Sequence, residues 1–279
     1  MLFQLKILWT QLRKGKQRVK TSAALCGLFF LLLSCDFAPT LDKDILEAQR
    51  AIDQQDFNKA ASINDDILRK SFKRQIRRKV LYQQGEIYLV HLENPQKALN
   101  YFQEIYQGEL DPYWQVKSLE KIADIYFFNL KMFDEAKQSY EILAGFKPPL
   151  KREDYYVFQM ARSLMEGKNF LDAYKIFKTI SEDKKNPFET DALFQRGLIH
   201  FYLKEWGKSV ELFKKFIGLS SSKEMSVQAK FLIANCFETQ EKLQEAYNIY
   251  YSLIDSYPNI EVIKSRLKSL YERRQARKR

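Results

Sequence analysis

Six segments of the sequence carry small residues at matching positions, and this periodicity restricts the fold more than any other feature. The first small residue recurs every 36 to 38 positions, and a second follows it 12 or 13 positions later. A repeat of this length is one supersecondary unit copied along the chain. The six pairs are Ala48 and Ala60, Gly85 and Ala98, Ala123 and Ala136, Ala161 and Ala173, Gly197 and Ser209, and Ala234 and Ala246.

Aromatic residues surround the second small residue of most segments. Phe133 and Phe170 precede it by three positions, and Tyr140 and Phe177 follow it by four. Small side chains let two helices approach closely, and bulky rings fill the space beside the contact. The chain has only 9 Gly and 7 Pro in 279 residues, too few for the tight turns of a sheet protein. We therefore predict an all-α solenoid of about six helical hairpins.

Short motifs mark the predicted helix ends. Asn94-Pro95 has the form of an N-cap followed by proline at the first helical position. The stretch 186–189, Asn-Pro-Phe-Glu, resembles a capping box, and Tyr257-Pro258 is expected to close the last helix B. A terminal helix, Glu261–Tyr271, would then cap the array. Its apolar positions are Val262, Ile263, Leu267 and Leu270.

The amino-terminal segment has the layout of a secretory signal. Residues 1–35 hold six Lys and Arg and no acid, and the apolar run Ala23–Leu33 is followed by small residues. About 11 apolar residues are too few to span a bilayer core, which takes roughly 20. An uncleaved anchor remains the alternative.

The repeats resemble the tetratricopeptide repeat (TPR) family over roughly residues 41–258. Two quartets carry the resemblance best: Gly85–Tyr88–Ala98–Phe102 and Ala123–Tyr126–Ala136–Tyr140. The period near 37 exceeds the 34 residues usual for the family. The resemblance implies a scaffold that binds a protein or peptide partner in a groove lined by the first helix of each hairpin. The implied groove positions are Tyr82, Glu86, Lys117, Asp124, Tyr155, Phe158, Arg162 and Phe194.

Leu32-Leu33-Ser34-Cys35 resembles the lipobox of bacterial lipoproteins. The resemblance implies cleavage before Cys35 and attachment of fatty acyl chains, such as palmitate, to that residue. The expected organisation is a signal peptide at 1–34, a lipid-anchored tether at 35–40, the solenoid at 41–258, and a capping helix with a basic tail at 259–279. The solenoid would lie outside the cytoplasm, on the inner or the outer membrane. This layout is similar to the TPR lipoprotein subunits of the outer-membrane β-barrel assembly machinery.

The sequence contains none of the metal, phosphate or nucleophile motifs of the common enzyme classes. His91 and His200 lie in different repeats, His200 in an aromatic position that indicates packing. Cys236 is expected to be a buried thiol. We therefore predict no enzyme activity, no cofactor and no metal. A glycan-binding or enzymatic envelope protein is one alternative, and a cytoplasmic TPR protein on an uncleaved anchor is another.

The net charge of +11 is concentrated at the two ends of the chain. The body between them is close to neutral, which argues against nucleic acid as a partner. Two basic clusters stand out, at Arg69–Lys79 and Arg273–Arg279. Each is either a solvated helix face or tail, or a contact for anionic lipid or an acidic partner. The first cluster is the stronger candidate for anionic lipid.

Overall fold

The computed structural model describes residues 38–71, 73–108 and 111–277, with side chains from residue 40 onward. Within these ranges the chain forms thirteen α-helices and two π-helical turns, and it has no strand. The predicted all-α fold is confirmed. The helices belong to two compact units, with the division between Ile87 and Tyr88.

The first unit contains three helices: α1 (Ala38–Asp53), α2 (Phe57–Lys70) and α3 (Arg74–Glu86). Its core includes Leu41, Ala48, Ile67 and Val80. Helix α1 begins at Ala38, so the last three residues of the predicted tether at 35–40 are helical. Asp56 caps α2, since its carboxylate accepts a hydrogen bond from the Lys59 amide at 3.1 Å.

The second unit continues the series with ten helices, each packed against the next along the chain. This neighbour-to-neighbour packing is that of a helical-repeat solenoid. The helices are α4 (Pro95–Gly108), α5 (Pro112–Asp124), α6 (Phe133–Ala144), α7 (Glu153–Glu166), α8 (Phe170–Glu182), α9 (Glu189–Tyr202), α10 (Trp206–Leu219), α11 (Lys223–Thr239), α12 (Leu243–Tyr251) and α13 (Ile260–Ala276).

The odd-numbered helices α1 to α11 are the A helices of repeats 1 to 6, and the even-numbered helices α2 to α12 are the B helices. The small residues predicted to face the partner helix are buried, as Ala136, Ala173 and Ala246 illustrate. The rings beside them, Tyr140 and Phe177, are buried as well. The predicted register of small and aromatic residues is therefore confirmed.

Repeats 2 and 3 each contain a π-helical turn at the end of helix A, at Ile87–His91 and Ile125–Leu130. In these repeats the amide that opens helix B binds a carbonyl six positions back: Asn94 to Tyr88 and Met132 to Tyr126. The four other repeats close this turn over five positions, as from Glu205 to His200. Repeats 2 and 3 are also the two whose small residues are 13 apart. In repeat 3 the π turn therefore absorbs one extra residue while Ala123 and Ala136 both remain fully buried.

Each A–B turn places one residue in the left-handed region, with φ between 48° and 65°. None of the six is glycine, although in this region a Cβ lies too close to the following carbonyl oxygen. The six residues are Gln55, Glu93, Lys131, Lys168, Lys204 and Glu241.

Replacing Lys168 with glycine is expected to stabilise the protein by up to about 1 kcal/mol, because glycine adopts positive φ without strain. The measurement is the free energy of unfolding by urea. The matched control is Lys175→Gly, in the interior of α8, which should lose about 1 kcal/mol. Equal effects of the two substitutions would show that backbone strain at Lys168 is negligible.

Three predicted helix ends differ in the structure, and one is that of the last B helix, α12, which ends at Tyr251 and not at Tyr257. Helix α9 begins at Glu189 with Phe188 as its N-cap, and Asn186 instead accepts the Phe188 amide within the preceding turn, so the predicted capping box is wrong. The capping helix α13 is longer than predicted, and its residues Ile263, Leu267 and Leu270 are buried as expected.

Candidate functional site

The A helices of repeats 3 and 4 are joined by a polar contact between α5 and α7. Glu120 on α5 accepts a hydrogen bond from the Tyr156 hydroxyl and an ion-paired bond from Arg152 Nη1 at 3.1 Å, both at Oε1. The Arg152 guanidinium also lies 4.2 Å from the centre of the Tyr155 ring. Charge-assisted bonds of this kind fix side chains that would otherwise be mobile.

Asp124 lies one turn further along α5 and is held by helix B of the same repeat. The Tyr140 hydroxyl on α6 donates to Asp124 Oδ1 at 2.6 Å. Burial raises the pKa of the Asp124 carboxyl, and the bond from Tyr140 offsets only part of this effect. Burial and the neighbouring Asp124 charge also raise the pKa of the Tyr140 hydroxyl.

Arg162 on α7 is the fourth charged group of this face. Its Nη1 donates to Gln159 Oε1 at 3.1 Å, and Gln159 Nε2 donates to the Tyr155 hydroxyl at 2.9 Å. The guanidinium lies 4.8 Å from the centre of the Phe127 ring, in the π turn of repeat 3. The Tyr155 ring meets Tyr140 edge-on, with centroids 6.5 Å apart. We call this connected set the A-face cluster: Glu120, Asp124, Tyr140, Arg152, Tyr155, Tyr156, Gln159 and Arg162.

Three of the groove residues expected from the sequence, Asp124, Tyr155 and Arg162, belong to the A-face cluster. Lys117 lies on the same helix as Asp124, with its ammonium 5.1 Å from the centre of the Trp114 ring. Tyr82 and Glu86 are half-buried on α3 of the first unit.

The two expected phenylalanines are core residues. Phe158 is stacked on Phe188 and packs against Phe177, and Phe194 packs between Phe213 and Phe216. Only 8% of Phe158 and 6% of Phe194 is exposed. Neither ring is exposed enough to contact a ligand, so Phe158 and Phe194 are not groove residues.

Five members of the cluster were not among the expected groove residues: Glu120, Tyr140, Arg152, Tyr156 and Gln159. A signal for Glu120 was present, because it lies three positions after Lys117 and four before Asp124, on one stripe of a helix. Arg152 and Tyr156 had no comparable signal, since their role depends on how α7 packs beside α5.

Asp124→Asn is expected to stabilise the protein at neutral pH by a fraction of a kcal/mol. Because burial raises the carboxyl pKa, wild-type stability falls as the pH rises from 3.8, the ordinary value, through the raised value. Asparagine keeps an acceptor for Tyr140 and has no such loss, so the two proteins should converge in acid. The measurement is the unfolding free energy between pH 3 and pH 7.

The control is Asp172→Asn, which should have the opposite sign. A hydrogen bond from Lys175 and another from Asn169 lower the pKa of the Asp172 carboxyl. The wild-type residue therefore contributes stability at neutral pH that is lost in acid. An Asp124→Asn protein that is less stable than wild type at pH 7 would show that the carboxylate charge itself is needed for packing.

The other candidate reactive groups have structural surroundings. His200 is 8% exposed, meets Tyr174 edge-on, and its Nδ1 lies 2.5 Å from Glu205 Oε2. Cys236 is buried, and burial raises the pKa of its thiol. Both expectations of packed residues are confirmed. In the described part of the chain no group of three or more His, Cys, Asp or Glu could hold a metal ion.

Comparison with known proteins agrees with this geometry. Residues 228–259, which cover most of α11 and all of α12, match the tetratricopeptide repeat model. The chain therefore contains a tetratricopeptide repeat at its sixth hairpin. No curated protein sequence gives a significant match.

Solved structures of TPR proteins have the same fold. A TPR protein from Parabacteroides merdae is 16% identical, with a TM-score of 0.54 and coverage of 84% of this chain and 99% of that one. PilW, a type IV pilus biogenesis factor, is 16% identical, with a TM-score of 0.53 and coverage of 83% and 98%. The quorum sensor NprR from B. thuringiensis is 17% identical, with a TM-score of 0.53 and coverage of 92% and 76%.

The residues expected to contact a membrane are Cys35 and the basic cluster 69–79. Cys35 lies outside the described residues. In the basic cluster 69–79, Arg69 pairs with Asp66, Lys70 pairs with Asp44 at 2.9 Å, and Arg77 donates to the Leu68 carbonyl at 2.8 Å. Lys73, Arg74 and Lys79 are exposed. Among the described residues, no helix is long and apolar enough to cross a membrane.

Proposed function

We propose that this protein is a lipid-anchored TPR scaffold of the bacterial cell envelope, and that its A-face cluster binds a segment of a partner protein. The observation that carries the proposal is the network across α5 and α7. It holds cationic, anionic and aromatic groups in fixed positions on neighbouring A helices. Because these side chains are already ordered, binding a partner costs less side-chain conformational entropy.

The A-face cluster retains hydrogen-bonding capacity for a ligand. Arg162 uses one of its five N–H donors on Gln159, and Asp124 uses one oxygen on Tyr140. A partner segment could therefore receive hydrogen bonds from Arg162 and donate them to Asp124. Donors and acceptors spaced along two parallel helices suit an extended peptide, whose backbone offers both kinds of group.

The test of the A-face cluster is partner recovery by Arg162→Glu, using the full chain extracted from membranes. Charge reversal should lower partner recovery about tenfold, the equivalent of ~1.4 kcal/mol of binding free energy. The matched control is Lys175→Glu on helix B of the same repeat, which should bind normally. Circular dichroism melting establishes that both variants are folded. Equal recovery by Arg162→Glu and wild type would overturn this site.

The lipid anchor rests on the sequence around Cys35. A single acyl chain binds membranes only marginally, whereas two or more give stable attachment. The envelope location is supported by this motif, and the scaffold role by similarity of fold to PilW, a type IV pilus biogenesis factor. We propose that the partner belongs to a machine that assembles proteins of the envelope or outer membrane.

Cys35→Ala tests the anchor, with Cys26→Ala in the apolar run as its control. Wild type and Cys26→Ala should lose 34 residues and gain acyl mass, and Cys35→Ala should do neither. Intact mass and membrane fractionation provide the measurement. Normal processing and firm membrane attachment of Cys35→Ala would contradict the lipoprotein assignment.

A further inference from the structure

Large apolar side chains are concentrated at one edge of the second unit, formed by its A–B turns. They are between 38% and 69% exposed and belong to four consecutive repeats. Isolated exposed apolar residues are ordinary, but their recurrence at the same turn of successive repeats points to an interaction site. We call this row the turn edge: Val90, Phe128, Met132, Leu171, Tyr202 and Leu203.

The π turns supply two members of the turn edge. Val90 and Phe128 each lie five positions after the first small residue of their repeat, within the widened turns 87–91 and 125–130. Phe128 meets Phe127 edge-on and remains 45% exposed. Tyr202 occupies the same fifth position in repeat 5 and is 55% exposed, so exposed large side chains recur at equivalent turn positions.

Three lysines alternate with these apolar groups at the apex of successive turns. Lys131, Lys168 and Lys204 are exposed, have positive φ, and form no ion pair within the described residues. Glu93 occupies the corresponding apex position in repeat 2, whereas the acids of repeats 3 to 5 lie further from the apex, in the adjoining helix turns. Two of these are already paired, Asp172 with Lys175 at 2.8 Å and Glu205 with Lys208 at 3.1 Å. The others are Asp134, Glu135 and Glu166.

We propose that the turn edge docks on an anionic membrane surface. Apolar and tyrosine side chains enter the boundary between head groups and acyl chains, and lysine ammonium groups reach the lipid phosphates. The turns of successive repeats lie side by side along one edge of the unit, which suits an extended surface better than a single small ligand. The unpaired lysines provide the charge complementarity that specifies anionic lipid.

Hydrogen exchange of the full chain in vesicles tests this proposal without depending on the anchor or the peptide groove. Peptides covering 128–133, 167–172 and 202–206 should exchange more slowly with phosphatidylcholine vesicles containing phosphatidylglycerol than with phosphatidylcholine alone. Peptides from the opposite, B–A turns, such as 145–152 and 183–189, should exchange equally in both. Equal protection of the turn edge in both lipids, or none in either, would overturn the proposal.

Two sets of substitutions assign the effect to the turn edge. Lys131→Gln, Lys168→Gln and Lys204→Gln should each weaken vesicle binding measured by that protection about fivefold. Glutamine is a matched replacement, because Gln55 occupies the same left-handed position in repeat 1. Exposed apolar residues on B helices provide the control, since Ile142→Ser and Leu219→Ser should not change the protection. Protection that is unchanged by the lysine variants, or that an envelope protein produces in the absence of vesicles, would refute docking on lipid.

Discussion

Gly197→Ala is expected to destabilise the protein by about 2–3 kcal/mol, the cost of overpacking a closed core. A Cβ at this position would lie 2.7 Å from Cε1 and 2.9 Å from Cδ1 of the Phe213 ring. Phe213 is fully buried, and Phe194 packs against it with centroids 5.3 Å apart. The ring therefore has little freedom to move away. Ser209 Oγ also binds the Gly197 carbonyl at 2.9 Å, which holds α9 and α10 together.

The measurement for Gly197→Ala is urea unfolding combined with hydrogen exchange of α9 and α10, because repeat arrays can open locally. Gly207→Ala is the control. Gly207 lies in α10 with no atom within 4 Å of an added Cβ, so alanine should be neutral or stabilise by up to about 1 kcal/mol. A Gly197→Ala protein as stable as wild type would show that the helices of repeat 5 can separate at little cost.

The hairpins could be predicted from the sequence because their packing rule is local. Gly197 and Ser209 are 12 positions apart, and that spacing by itself brings two small residues to one helix contact. The sequence also contained the signal for the π turns, in the spacing of 13 from Ala123 to Ala136. That spacing alone does not distinguish a π turn from a longer loop.

The left-handed turn residues could not be predicted, because residue type gives no indication of them. Glycine is the usual marker of positive φ, but Lys168 has φ of 65° while the adjacent Gly167 does not have positive φ. The Asn169 amide donates to the Leu164 carbonyl at 2.8 Å and closes the turn. This closure imposes positive φ on the residue before Asn169, whatever its type.

Contacts between residues far apart in the sequence could not be predicted either. The basic stretch after residue 272 was interpreted as a solvated tail or a contact for lipid or an acidic partner. In the structure Arg273 and Arg277 pair with acids of repeat 6, more than 30 positions earlier. Arg274 lies 5.3 Å from the centre of the Tyr247 ring. The described arginines therefore attach the capping helix.

Glu238 on α11 is the central acid of this attachment, and its side chain is only 11% exposed. Its Oε1 lies 3.2 Å from Arg273 Nη1 and 3.5 Å from Arg266 Nη1. Its Oε2 accepts a bond of 3.2 Å from the Tyr250 hydroxyl, and burial raises the pKa of that hydroxyl. Arg273 also pairs with Glu241 at 2.6 Å. Glu238 thus joins helices α11, α12 and α13.

Glu238→Ala is expected to cost about 2 kcal/mol. Removing one member of a buried pair costs roughly 3–5 kcal/mol. The value expected here is smaller because Arg273 is partly exposed and keeps its pair with Glu241. The loss should be local. Hydrogen exchange of α13 should accelerate roughly 30-fold at this free energy, while α7 and α8 exchange as in wild type.

Glu261→Ala is the matched control for this prediction. Glu261 lies on α13 and pairs with Lys264 at 3.0 Å, but both side chains are more than half exposed. Exposed pairs contribute at most about 1 kcal/mol, so α13 should exchange nearly as in wild type. If the ion pairs of Glu238 hold α13 in place, α13 should exchange faster in Glu238→Ala than in Glu261→Ala. If α13 exchanged equally slowly in both variants, burial of Ile263, Leu267 and Leu270 alone would account for its attachment.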